Sequence, residues 1–412
     1  MHSDRKAVWA VSSALCLIHA ATGAPPATQP ASAPADLAFI STAFENASPL
    51  QWSVDADGTV HVYLSYDYER NSPNRAAGHW FFQLQGRSGA ELTVVLHNFD
   101  NVWNGRPGSP ISKKTACFVS ADGRTWTTTP TEKIEGNALR FRVKLEGGSL
   151  FVARLEPYRI SDLDRLIAEI RPNPLVEITT IGKTVEGRDL EVIRVGKPDA
   201  PHRVVLRARA HAWEPGGNWV AQGLIRALLV DDALSRRCLE RYCLYVMPMA
   251  NKDGVARGWT RFNLLGKDLN RNWDKPPDPR LAPENHALET WLKGMIDRGR
   301  RPDLLIDFHN DEGGGLHISR PNVKLDAHLA RMARLEQLLR KHTWFTEGSS
   351  GSSFRNPGSI GEGLLERFGI DACVLEFNAN WIAGLKQPAT AAAWQQFGKD
   401  LREVFLGFFE GP

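Results

Sequence analysis

Charge of one sign is what this chain most plainly lacks. Its 412 residues carry 50 lysines and arginines against 47 aspartates and glutamates, a formal net charge of +3. That balance builds no extended field, so nucleic acid and an anionic membrane surface are excluded as the expected main partner and a small or peptidic one remains. Cysteine is scarce as well. Cys16, Cys117, Cys238, Cys243 and Cys373 form no CxxC pair and are too thinly spread for a disulfide scaffold. Buried free thiols are the expectation, with a Cys238 to Cys243 bridge as the alternative. Tyrosine is missing after Tyr245, which matters below. A membrane-length apolar run is also missing. The stretch from Ala7 to Ala21 is broken by Ser12, Ser13 and His19, follows Arg5 and Lys6, and precedes the small residues Ala21, Thr22 and Gly23. It falls short of the roughly 20 residues a span needs, so residues 1–23 read as a cleaved export signal. The expected location is then periplasmic or secreted, without stable membrane insertion.

With 42% hydrophobic and 24% charged residues, the remainder has enough apolar material for two domains with cores of their own. Residues 24–36 are mostly Pro, Ala, Thr and Ser and read as a linker. Residues 37–157 hold short β-type segments such as His61-Val-Tyr-Leu-Ser-Tyr66, Leu92-Thr-Val-Val-Leu-His97 and Leu139-Arg-Phe-Arg-Val-Lys-Leu145. Turn residues separate them and no long helical period intervenes, which predicts an antiparallel β-sandwich. Trp52, Trp80, Trp103 and Trp126 within it read as core filling rather than a sugar-binding face. The pattern changes at Tyr158. Ser161 to Asp164 resembles a capping box opening a helix, and strand-like runs then alternate with helical ones over residues 158–412. This predicts an α/β layered domain with a largely parallel or mixed sheet and active-site groups at strand ends.

Four chemical features stand out in that second region. His211-Ala-Trp-Glu214 lies between a buried-looking strand and a helix, and a His and a Glu three residues apart can converge on one ion. His309 ends the apolar run Leu304 to Phe308 and is the natural third ligand, with His317 as its competitor. Gly258-Trp-Thr-Arg261 and Asp268-Leu-Asn270-Arg271 concentrate donors suited to anionic oxygen. Glu376 interrupts the apolar strand from Ala372 to Phe377, and a buried carboxylate is costly unless paired or functional. Beside an activated water it suits a general base.

In this order, His211-xx-Glu214, Asn251-xx-Gly254, Arg261, Asp268-Leu-Asn-Arg271, His309 and Glu376 resemble the M14-type zinc carboxypeptidases. Within them the spacing from Gly258 to Arg271, and the segment Ser41 to Glu45, look most like the cytosolic-carboxypeptidase branch, which carries a β-sandwich before its catalytic domain. The resemblance implies an α/β; mixed-sheet α/β/α fold and one Zn²⁺ per chain on His211, Glu214 and His309. It also implies Glu376 as general acid/base, Arg261 on the scissile carbonyl, and Asn270 and Arg271 on the terminal carboxylate of a peptide or protein substrate. The family's mobile-loop Tyr has no counterpart here; Phe354 occupies its approximate place, with Arg355 beside it as a further substrate-binding candidate. Arg320 and Gly361 are candidates for setting side-chain preference. The expected reaction is removal of a C-terminal residue. An exported amidase acting on a nonstandard amide, such as a cell-wall peptide stem, and a catalytically silent binding protein are the competing readings.

Overall fold

The structure is a computed structural model and describes residues 36–410 apart from Asn71 and Asn322. The expected export signal, and the linker as far as residue 35, lie outside the described residues.

Alternation of apolar and polar residues governs the N-terminal β-rich domain. In Ala138–Lys144, Leu139, Phe141 and Val143 are buried while Arg140, Arg142 and Lys144 are exposed, the period of two that strands impose. One five-stranded sheet runs in the order Leu37–Ser41, Phe81–Gly86, Ser149–Ala153, Cys117–Ser120 and Thr127–Thr129. The other runs Thr131–Ile134, Ala138–Lys144, Glu91–His97, Val60–Leu64 and Leu50–Val54. They close on a shared core in which Phe82, Leu84 and Val152 of the first meet Val62, Val94 and Phe141 of the second. The expected sandwich is therefore present. One neighbouring pair, Val60–Leu64 with Glu91–His97, runs parallel, because the chain crosses to the other sheet through Phe81–Gly86 before returning. Trp80 is fully buried in this core.

The helix Ile160–Ile170 buries Leu163, Leu166, Ile167 and Ile170, the helical spacing expected of them. Its cap lies earlier than the sequence suggests: Asp162 accepts the N–H of Arg159 at 2.7 Å, and Glu45 of the β-rich domain accepts the N–H of Ser161 at 3.1 Å.

The second region is built on a seven-stranded mixed sheet. Its order is Val176–Lys183, Asp189–Val195, Tyr242–Met247, His202–Ala208, Leu304–Asp311, Ala372–Asn378 and Gly315–His317. The pairings among Tyr242–Met247, His202–Ala208, Leu304–Asp311 and Ala372–Asn378 are parallel, and the outer ones are antiparallel. Consecutive strand residues point to opposite faces. Val204, Leu206 and Phe308 pack with the helices Gly216–Leu228 and Ala391–Phe409, whereas Val205, Leu305 and Val374 pack with Pro283–Asp297 and Ile360–Phe368. Burial on both faces accounts for the unbroken apolar runs in these strands. Cys117, Cys238, Cys243 and Cys373 are buried and free.

Candidate metal and substrate site

Parallel strands deliver the functional groups to one edge of the sheet. After the central strand His202–Ala208, Arg209 takes left-handed backbone at φ 62°. The following turn presents His211 and Glu214 just before the helix Gly216–Leu228. The neighbouring strand supplies His309 and the next one Glu376, and these two residues are register partners.

His211 Nδ1 lies 2.8 Å from Glu214 Oε1. His309 Nδ1 lies 2.8 Å from Glu214 Oε2 and 3.1 Å from His211 Nδ1. All three residues are buried, and their three ligand atoms fall within 4.8 Å of one another. Lone pairs converging in this way ask for positive charge between them, and two imidazoles with one carboxylate suit Zn²⁺ with a coordination position to spare. This is the one such donor group among the described residues.

The far ring nitrogens are held by carboxylates. His211 Nε2 is 3.1 Å from Asp268 Oδ1, and His309 Nε2 is 2.7 Å from Asp307 Oδ2. Each carboxylate accepts the Nε2–H and so leaves Nδ1 as the lone-pair donor. Asp307 is in turn paired with Arg207 at 3.0 Å, both fully buried. Burial would raise the Asp268 pKa, but Arg261 and His211 outweigh it and hold the carboxyl well below its usual range. Sequence reasoning misses Asp307 as a partner of His309. The signal was there, since residues two apart on a strand share a face.

A cavity of about 460 Å³ opens beside these groups, and His211, Glu214 and Glu376 contribute to its wall. Arg261, Asn270 and Arg271 line it too, as do Phe354 and Arg355, while His309 sits fully buried behind it. Arg261 donates from Nε to Asp268 Oδ2 at 2.8 Å. Asn270 Oδ1 accepts the N–H of Ile360 at 3.0 Å, and its Nδ2 lies 3.4 Å from His309 Nε2. Arg271 donates to its neighbour's carbonyl oxygen at 2.9 Å. It makes no ion pair with Asp274 or with any other acid among the described residues; Asp268 and Glu376 act on its charge without direct contact, and the side chain lines the cavity. Glu376 Oε2 is buried without a hydrogen-bond partner, and burial, then the charge of Asp311, raises its proton affinity well above the usual carboxylate range.

No tyrosine lines the cavity; the Phe354 ring lies 4.9 Å from the His317 ring. His317, the rival ligand, faces the cavity outside the donor group. Arg355 donates to the carbonyl oxygens of Ser352 and Phe354. Arg320 is spent on the carbonyl oxygens of Ile318, Ser350 and Gly351, and Gly361 packs against Cys373; neither lines the cavity. What the sequence did not reveal is the opposite wall. Trp103, Asn104, Ser109 and Pro110 come from the β-rich domain, and Trp103, read as core filling, is instead a cavity residue.

Residues 164–310 match the family described as zinc carboxypeptidase. Those residues belong to a zinc carboxypeptidase domain. The chain is 33% identical to human cytosolic carboxypeptidase 4 over 154 residues, 37% of this chain and 13% of that protein. It is 30% identical to zebrafish (Danio rerio) cytosolic carboxypeptidase 2 over 178 residues, 40% of this chain and 24% of that protein. The chain thus spans a quarter or less of the length of these two relatives. Among solved structures, the metallo-carboxypeptidase from Burkholderia cenocepacia superposes with a TM-score of 0.80 at 20% identity, covering 90% of this chain and 98% of that one. At that identity the likeness is one of fold, and it embraces the β-rich domain as well as the zinc carboxypeptidase domain.

These relatives correct the expected location. The human, mouse and zebrafish relatives are named cytosolic carboxypeptidases, which runs against an exported, periplasmic or secreted protein. The residues on which the export reading rests lie outside the described ones. A short, interrupted apolar run after two basic residues is a compositional pattern and does not by itself specify export. No helix among the described residues is long and apolar enough to cross a membrane.

Proposed function

We propose that this protein is a zinc-dependent carboxypeptidase that hydrolyses the C-terminal peptide bond of peptides or proteins. The observation that carries the reading is the convergence of the His211, Glu214 and His309 donor atoms at one end of a cavity that also holds an unpartnered Glu376 and an ion-pair-free Arg271. A zinc ion held by the three donors supplies Lewis acidity. Glu376, as a carboxylate whose proton affinity burial raises, takes the proton from the attacking water and returns it to the leaving amine. Arg261 is anchored by Asp268 and offers its remaining donors to the oxygen that becomes negative as the carbonyl is attacked. Asn270 and Arg271 bind the substrate's terminal carboxylate, for which a planar guanidinium beside an amide is well matched. Phe354 and Arg355 border the space for the departing residue.

The test is incubation of the purified protein with a mixed peptide library and identification of the released residues by mass spectrometry, with Glu376→Gln alongside. The wild type should trim single residues from free C-termini. The variant should keep its zinc and lose several orders of magnitude in kcat, since an amide cannot take the proton. Near-normal turnover by Glu376→Gln on the best peptide would exclude it as the acid/base.

A further inference from the structure

The loop that presents Arg261 is held from two sides: Asn251 and Trp213 of the metal-ligand side donate to the carbonyl oxygens of Arg261, Phe262 and Thr260, and the β-rich domain grips the opposite edge. Asp67 accepts the consecutive N–H groups of Thr260, Arg261 and Phe262 at 2.8, 2.5 and 3.1 Å. Thr260 Oγ1 accepts the N–H of Gly78 at 3.1 Å, and Gly266 accepts that of Arg70 at 3.0 Å. Gly258, at φ 64°, lies so close to Ala47 that an added Cβ would stand 2.0 Å from its carbonyl oxygen. The backbone around Arg261 is thus clamped from the β-rich side.

The Arg261 side chain is held from the same side. Strands Asn101–Trp103 and Arg106–Gly108 form a hairpin through the two-residue turn Asn104-Gly105, whose φ values of 50° and 76° suit this tight connection. Trp103 on that hairpin places its ring 5.4 Å from the Arg261 guanidinium carbon and also lines the cavity. Gly108 packs closely on the indole: a Cβ there would stand 2.4 Å from the ring atom Cδ1. Asn74 fastens the hairpin, accepting the N–H of Asn104 at 2.6 Å, and reaches Asp268 at 3.4 Å. The guanidinium is therefore held between Asp268, which accepts from its Nε, and the indole of Trp103.

We propose that Trp103 is a positioning residue for Arg261, and that the reaction site is complete only with the β-rich domain's hairpin in place. The inference rests on the carboxypeptidase reading. An arginine on a long flexible stem stabilises a developing charge well only if its orientation is set beforehand, and a cation–π contact with the indole together with the ion pair to the carboxylate restricts it.

The experiment measures kcat, KM and zinc content for the full chain with Trp103→Ala, Trp103→Phe, Arg261→Ala and the Trp103→Ala/Arg261→Ala double variant, on the best substrate from the peptide library. Trp103→Ala should lower kcat about tenfold or more with zinc content and KM little changed, and Trp103→Phe should recover most of the loss. In the Arg261→Ala background, removing Trp103 should cost almost nothing further. Full activity of Trp103→Ala, or the same loss in both backgrounds, overturns the inference while the carboxypeptidase reading stands. A wild-type protein that trims no peptide overturns both.

Discussion

Glu284 gives the most quantitative prediction. It is 1% exposed at the start of the helix Pro283–Asp297. Its Oε2 accepts from Asn263 at 3.0 Å, and Oε1 has no partner. Asn263 shapes the loop that carries Arg261 and Asp268, accepting the N–H groups of Leu265 and Lys267. Burial, opposed by these weak contacts, pushes the Glu284 pKa from the ordinary 4.5 up to about 7. A rise of that size corresponds to about 3 kcal/mol, at roughly 1.4 kcal/mol per tenfold change in proton affinity. The sign follows from which state holds the proton. Below about pH 4.5 the group is protonated in both states and costs nothing. Between there and pH 7 the unfolded chain releases its proton while the folded one keeps it, so stability falls as pH rises, and above pH 7 the full cost is present. Glu284→Gln removes the ionisation. Its urea-unfolding free energy, subtracted from that of wild type at each pH, should shift by about 3 kcal/mol between pH 4.5 and 8, with the variant gaining at the alkaline end. Parallel stability curves for the two proteins across that range would refute the buried-carboxylate argument.

The remaining predictions concern the site. His309→Ala should lose stoichiometric zinc, measured by plasma mass spectrometry, because a site of three protein donors rarely holds its ion with two; full occupancy would move the third ligand elsewhere. Asp307→Asn weakens the acceptor on His309 Nε2 and leaves Arg207 unpaired in the core. Zinc affinity by chelator competition should fall about 10- to 100-fold and unfolding free energy by about 3–5 kcal/mol, and unchanged values for both would sink the Arg207–Asp307–His309 relay. Arg271→Ala should abolish the preference for a free C-terminus: wild type should cleave a peptide acid about 100-fold faster than its amide, the cost of leaving a buried guanidinium unpaired. Equal rates on acid and amide by the wild type would rule out carboxylate recognition.

Local pattern was enough to read a good part of this protein. Strand periods of two place the sandwich strands, helical spacing places Ile160–Ile170, and unbroken apolar runs mark the doubly covered strands of the mixed sheet. His211 and Glu214 are legible because they lie three residues apart between strand and helix, and Glu376 because a lone carboxylate interrupts an apolar strand. These signals are carried by neighbours in the chain. What depends on distant segments meeting was hidden. That His309 rather than His317 joins the donor group is decided by which strand lies beside His202–Ala208 in the sheet. Export was misjudged because a short apolar stretch has the same composition whether or not it is an address. The largest omission, the wall formed by Trp103, Asn104, Ser109 and Pro110, could not be read locally at all. An indole on a short hairpin has the same sequence signature in a core and over a guanidinium, and only the packing of the β-rich domain against the loop from Gly258 to Asp268, more than 150 residues later in the chain, determines which of the two it is.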